Sequence, residues 1–99
     1  MAVYVDDMYR YPMGRFGRMK MSHMVADTEA ELYEMADRIG VARRWVQQAE
    51  KGKGYIHFDV SMSARRKAIE NGAVELTLRQ LSSMCAGWRR ERAANGEGM

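Results

Sequence analysis

Residues 55–67, YIHFDVSMSARRK, decide the expected fold because they predict a strand followed directly by a helix. Side chains alternate between the two faces of a strand, so His57 and Asp59 share one face and the apolar residues beside them share the other. Ser61 or Ser63 is the expected N-cap of the helix. A strand that passes through a polar turn into a helix indicates an α/β or α+β domain.

The predicted helix begins with three cations, Arg65, Arg66 and Lys67. A helix N-terminus already carries about half a positive charge, so cations in the first turn are locally unfavourable. A bound anion such as phosphate would compensate for them. The sequence therefore predicts an anion site at this turn. The alternative is that the cations form surface ion pairs, Arg66 with Glu70 and Arg65 with Asp59, which contribute only about 0–1 kcal/mol each.

Hydrophobic periodicity and turn residues divide the rest of the chain into short elements. The sheet is expected to be a small single layer of four to five short strands, with two to three covering helices. The capping-box pattern at Thr28 and the glycine at Gly40 predict the ends of one helix, and Thr77 is expected to begin the last one. Further strands are predicted over residues 2–6, 18–26, 41–47 and 73–76, the last of them buried. The alternative for residues 43–45 is an irregular turn, and residues 51–54 are expected to form a hairpin connection.

Length and composition limit the classes of protein. The 99 residues predict one globular domain over residues 1–92 and a disordered tail over 93–99. The net charge is +3 and Cys85 is the only cysteine, which excludes an intramolecular disulfide and a cysteine-based zinc site. Apolar runs are short and the N-terminus lacks the pattern of a signal peptide, so we expect a cytoplasmic protein without membrane contact.

Several separate motifs of the chain belong to one recognisable pattern: residues 1–7, 17–27, 31–40, 44–45, 47, 57–59 and 63–75. They resemble one small, uncharacterised bacterial and bacteriophage family, domain of unknown function 4031. The resemblance covers residues 1–81, and Phe58 and Arg65 stand where the family pattern has Tyr and Lys, which keeps the chemistry. It implies a small cytoplasmic protein that is common in phage genomes, and it supplies no activity, cofactor or site.

The first functional hypothesis is a module that binds a phosphate-bearing ligand without catalysis and without a cofactor. The ligand would be a nucleotide, a nucleotide signal or a nucleic-acid end. Arginines would pair with phosphate, the capped turn would donate N–H groups, and an aromatic ring would stack on a base. The expected ligand-binding residues are Arg18, His23, Trp45, Tyr55, His57, Asp59, Ser61, Ser63, Arg65 and Arg66.

The second hypothesis is a metal-assisted hydrolase of a phosphoester or glycosidic bond. Imidazole and carboxylate groups are ligands that Mn, Mg or Zn would use. His57 and Asp59 lie roughly 6.5–7 Å apart along one strand face, so both can reach one ion. Asp6, His57 and Asp59 are the expected metal ligands in that case. The whole expected catalytic set is Asp6, Asp7, His23, His57 and Asp59.

The third hypothesis is a protein-interaction adaptor, such as a homodimer that uses the last helix and Trp88. It would be favoured by an apolar patch exposed on that helix. Duplex DNA ranks lowest as a partner because no predicted helix presents basic and base-reading residues together.

Overall fold

An eight-residue strand, β3, forms the centre of the sheet in the computed structural model, which describes residues 2–47 and 55–94 apart from the side chains of 92 and 93. Its second half pairs antiparallel with β1, its middle pairs antiparallel with β4, and its first residues pair with β2. β5 joins the other edge of β1 in parallel. The strands are β1 (Val3–Val5), β2 (Arg15–Phe16), β3 (Met19–Ala26), β4 (Phe58–Ser61) and β5 (Val74–Glu75).

Three α-helices cover the two faces of this sheet: α1 (Glu29–Ile39), α2 (Met62–Glu70) and α3 (Leu78–Ala94). The apolar sides of α1 and α2 pack with β1, β3 and β4 in the main core. α3 packs against the opposite face in a smaller cluster that contains Val25 and Cys85. The expected α+β architecture of four to five strands and two to three helices is confirmed.

The alternation of side chains along β3 and β4 decides which residues meet each layer. Met24 and Phe58 are fully buried toward α1 and α2. His23 and Val25 point to the opposite face, on which α3 packs. His23 is directly opposite Asp59 in the antiparallel pair, so their side chains project from the same face. The sheet therefore brings together two polar residues that are far apart in sequence.

Capping interactions fix the ends of the helices. The Thr28 hydroxyl accepts from the N–H of Glu31 at the start of α1, and α1 ends at Gly40, whose φ of 79° is left-handed. Ser61, one of the two serines considered, is the N-cap of α2. At α3, the Thr77 hydroxyl accepts from the N–H of Gln80, as Thr77 was predicted to do.

Two local predictions differ from the structure. Residues 41–47 do not form a strand, and the alternative of a turn is correct for Arg43–Trp45, which is a 3₁₀ turn; Gln47 makes an isolated bridge with His57. The Arg43 guanidinium binds the Asp37 carboxylate at 2.7 Å, which keeps this segment beside the end of α1. The predicted burial of β5 is wrong, because among the described residues this strand pairs with β1 alone and leaves Val74 43% exposed.

The remaining predictions of organisation are tested only in part. Within the described residues, no helix has the length and apolarity needed to cross a membrane. α3 continues to Ala94, and residues 95–99 of the predicted tail lie outside the described residues. The connection predicted around residues 51–54 also lies outside them.

Candidate functional site

The carboxylate of Asp6, which follows β1, is fully buried and orients the ring of His23. Its Oδ1 accepts from the backbone N–H groups of Met8 at 3.1 Å and His23 at 2.9 Å, and its Oδ2 lies 2.7 Å from Nδ1 of His23. A carboxylate accepts hydrogen bonds, so Nδ1 of His23 carries the proton. In the neutral ring, Nε2 therefore has an exposed lone pair on the far side from Asp6.

The ring of His57 is held in the same way by a different acceptor. Its Nδ1 lies 2.7 Å from the backbone carbonyl oxygen of Tyr55, which can only accept, so Nδ1 donates. Nε2 is again the nitrogen that can offer a lone pair. The rings of His23 and His57 meet edge to face, with centroids 5.1 Å apart. Two imidazoles thus turn their Nε2 atoms away from fixed hydrogen-bond acceptors.

Asp59 completes a cluster with the two histidines. Its Oδ2 accepts a 2.7 Å hydrogen bond from Nε2 of the Gln47 side chain. Its Oδ1 is buried and has no hydrogen-bond partner among the residues that the structure describes. Nε2 of His57 lies 3.5 Å from this oxygen without forming a hydrogen bond. A buried carboxylate oxygen without a hydrogen-bond donor, beside an imidazole nitrogen, favours a cation between them.

The cluster is compact enough to be a candidate metal site. One ligand atom from each of His23, His57 and Asp59 lies within 4.8 Å of the other two. His57 Nε2 and Asp59 Oδ1 are 3.5 Å apart, so both could bind one ion. Metal-binding histidines usually donate their other ring N–H to a carboxylate or a backbone carbonyl. Both histidines here do so, and Asp59 is fixed by Gln47.

Two titratable groups near the cluster, His23 and Cys85, have shifted pKa values. Burial of the ring lowers the pKa of His23, but the hydrogen bond that its Nδ1 donates to Asp6 and the charges of Asp6 and Asp59 outweigh it, so the pKa lies above its usual value. Burial raises the pKa of Cys85 to about 11. Cys85 is therefore a protonated core residue and not a nucleophile at neutral pH.

Two clefts open on either side of the cluster. A cleft of about 200 Å³ is lined by both histidines together with Tyr55, Cys85 and Arg89. A larger groove of about 750 Å³ has Asp59 in its wall. The cluster therefore lies at the boundary between a small basic cleft and a larger groove.

Arg65, the centre of the predicted anion site, faces the interior. Its side chain is 10% exposed, its Nε donates to the backbone carbonyl of Asp6 at 2.9 Å, and its Nη2 donates to Glu75 at 3.1 Å. The guanidinium also lies 4.9 Å from the centre of the Tyr9 ring. Arg65 shares the inward side of α2 with Ala64 and Ala68, which explains its burial. The expectation that Arg65 would pair with Asp59 is wrong, because Glu75 is its partner.

Of the other residues of the predicted anion site, Trp45 and Ser61 line the larger groove with Asp59, and the rest are dispersed. The Ser61 hydroxyl accepts from the N–H of Ala64 as a helix cap, and Ser63 is exposed beside it. Arg66 is exposed on α2, Arg18 is exposed in the turn between β2 and β3, and Trp45 is exposed in its 3₁₀ turn. The structure brings together His23, His57 and Asp59, with Tyr55 beside them.

The predicted metal ligands differ from this cluster at one position. Both oxygens of Asp6 are engaged in orienting other groups, and His23 stands where Asp6 was expected. Asp7 has a separate role, since its Oδ1 accepts from the N–H of Leu78 at the start of α3. Sequence reasoning missed Gln47 and Arg89. No local signal marks Gln47, because its contact with Asp59 depends on the bridge to His57.

Comparison with known protein families gives one match. A family model described as protein of unknown function (DUF4031) matches residues 3–87. The chain belongs to this family. No curated protein and no solved structure matches it. In this DUF4031 member, the matched residues include His23, His57 and Asp59, so the cluster is part of the family domain.

Proposed function

We propose that the protein binds a divalent metal ion through His23, His57 and Asp59 and uses it to hydrolyse a phosphoester. The observation that carries the proposal is the buried Oδ1 of Asp59, which lacks a hydrogen-bond partner within the described residues and lies 3.5 Å from the His57 nitrogen. Leaving a buried carboxylate oxygen unpartnered costs about 1–3 kcal/mol or more, so a ligand for it is expected.

The number of protein ligands suits catalysis more than a structural role. Structural zinc sites usually have four protein ligands, whereas catalytic sites have three and keep a position for water or substrate. When bound, the metal supplies a Lewis acid and lowers the pKa of a bound water to about 7. The chain itself holds the two imidazoles and the carboxylate in position through Asp6, Gln47 and the Tyr55 carbonyl.

A phosphoester fits the surroundings better than a glycoside. Arg89 lines the cleft that contains both histidines, and a guanidinium there suits the oxygens of a phosphoryl group. Glycosidic hydrolysis ordinarily needs two carboxyl groups about 5–9.5 Å apart. Near the cluster, within the described part of the chain, Asp59 has an available oxygen, but Asp6 has both oxygens engaged.

Phosphate binding at the α2 turn has less support. Arg65 already contacts Asp6, Glu75 and Tyr9, and the Ser61 hydroxyl caps the helix. The bacteriophage setting belongs to the proposal through the resemblance alone.

Metal titration calorimetry on the metal-free protein tests the proposal. We expect one Zn²⁺ per chain, with affinity at least about 100-fold weaker in His57→Ala and in Asp59→Asn. Co²⁺ should give the visible absorption of a four- or five-coordinate ion. Glu70→Gln, which removes an exposed carboxylate at the end of α2, is the control and should leave zinc affinity unchanged.

Hydrolysis is then measured with bis(p-nitrophenyl) phosphate. Turnover should require Zn²⁺ or Mn²⁺, stop with a chelator and be absent in His57→Ala. If no divalent ion binds, the proposal is wrong. If an ion binds at these residues and no phosphoester is hydrolysed, the catalytic part is wrong and the protein is a binding module.

A further inference from the structure

An apolar groove borders the cluster of His23, His57 and Asp59. It encloses about 750 Å³, and Trp45, Phe16 and Met19 in its wall are 62%, 56% and 53% exposed. Large apolar side chains exposed around one concave surface usually indicate a binding site. The volume lies within the range of about 300–1,000 Å³ that is typical of small-molecule sites.

The groove and the cluster of His23, His57 and Asp59 share one residue, Asp59. Asp59 lines the groove, and its Oδ1 belongs to the cluster with His23 and His57. Ser61, two residues further along the same strand face, also lines the groove. Asp59 therefore places the groove next to the cluster, with the polar side chain of Ser61 also in its wall.

We infer that the groove binds the planar base of a nucleotide whose phosphate lies at the cluster of His23, His57 and Asp59. Exposed aromatic faces bind nucleobases by stacking, and this contact tolerates any base. The Arg44 guanidinium lies 5.2 Å from the centre of the Trp45 ring, which adds a positive charge near the groove. This inference rests on the proposed function, and it names the class of phosphoester.

A nucleotide accounts for the groove better than a second copy of the chain does. The wall carries the polar side chains of Gln47, Asp59 and Ser61 beside the apolar ones. A dimer interface would bury the Asp59 carboxylate against apolar surface, which is unfavourable. A ligand that is aromatic at one end and anionic at the other satisfies both parts of the wall.

Two probes that differ only in the base test the inference. Adenosine 5′-monophosphate and ribose 5-phosphate are titrated into the zinc-loaded full chain by calorimetry, with tryptophan fluorescence as a second readout. The nucleotide should bind about 10- to 100-fold more tightly, which is the contribution of stacking one base. Trp45→Ala and Phe16→Ala should reduce this preference, while Kd for ribose 5-phosphate and for Zn²⁺ stays unchanged.

Tyr11→Ala is the matched control, because Tyr11 is also an exposed aromatic residue but does not line the groove. Equal affinity for the two probes, or an unchanged nucleotide preference in Trp45→Ala, would overturn the inference. If Zn²⁺ does not bind but the nucleotide does so through Trp45, the proposed function fails and the groove assignment survives. If Zn²⁺ binds and the nucleotide binds no more tightly than ribose 5-phosphate, the groove assignment fails and the proposed function survives.

Discussion

The Nε atom of Arg65 donates to the backbone carbonyl of Asp6 over 2.9 Å, across 59 residues of sequence. The Asp6 carboxylate in turn holds Nδ1 of His23 at 2.7 Å. Arg65 therefore holds Asp6, which orients the candidate metal ligand His23, and Arg65 is not itself a member of the cluster. This position explains why a cation in the first turn of a helix need not face a bound anion.

Replacing Arg65 with Ala should lower the free energy of unfolding by about 2–3 kcal/mol. The change leaves the carbonyl of Asp6 without its donor and removes the buried stem of the side chain. Arg66→Ala, on the exposed side of the same helix, should change stability by no more than about 0.5 kcal/mol. Urea unfolding followed by circular dichroism measures both. Similar stability losses in the two variants would contradict the interior role of Arg65.

Asp6→Asn should weaken zinc binding by about 10- to 100-fold while the fold is kept. The amide can still accept at one atom, but its NH₂ group would face Nδ1 of His23. The ring would then carry its proton on Nε2, and the lone pair needed for the metal would be lost.

Asp7→Asn is the control for this variant, because an Asn oxygen can still cap the start of α3. Its zinc affinity should equal that of the wild type. Calorimetry measures the affinities, and ¹⁵N NMR of the imidazoles reports the tautomer. An unchanged zinc affinity in Asp6→Asn would show that His23 does not need Asp6 for metal binding.

In the metal-free protein, His23 should stabilise the fold more at low pH than at high pH. Burial lowers the pKa of His23, but Asp6 and Asp59 raise it by a larger amount. The folded-state pKa therefore exceeds the unfolded value of about 6.5. The resulting stabilisation is complete below the unfolded pKa and is lost as the pH rises through the folded pKa. The difference in unfolding free energy between wild type and His23→Gln should therefore be larger at pH 6 than at pH 9. If the difference in unfolding free energy grows as the pH rises, the pKa of His23 is not raised in the folded state.

Gly14→Ala should destabilise the protein by about 2–3 kcal/mol or more. A Cβ at this position would lie 2.3 Å from the backbone oxygen of Met8 and 2.9 Å from that of Met21, and backbone atoms cannot move aside easily. Gly87→Ala in α3 is the comparison, since its nearest neighbour would be Arg90 at 3.8 Å. There the substitution should gain about 0.5–1 kcal/mol from helix propensity. Thermal and urea unfolding measure both, and a neutral Gly14→Ala would contradict this close approach of the backbones.

Local rules predicted most of the elements. The alternation in residues 18–26 and 55–60 correctly assigned His23, His57 and Asp59 to their strand faces, because a period of two follows from backbone geometry alone. The caps at Thr28, Gly40 and Ser61 or Ser63 could likewise be predicted, since each depends on contacts within a few residues.

Local rules failed where a distant partner decides the conformation. Residues 41–47 look apolar enough for a strand, but the ion pair between Arg43 and Asp37 and the end of α1 hold them in a turn. Val74 looks like a buried strand residue, but no helix covers the outer edge of β5. In both cases the missing information is which elements are neighbours.

The sequence by itself determined the mixed strand-and-helix architecture and the two faces of each central strand, because those follow from periodicity and capping over short distances. Only the tertiary structure decided that His23 lies opposite Asp59 and that Asp6 supports His23 from behind. It also decided that Arg65 points inward. These relationships depend on the register of β3 with β4 and on the packing of α2, which arise from contacts between residues tens of positions apart.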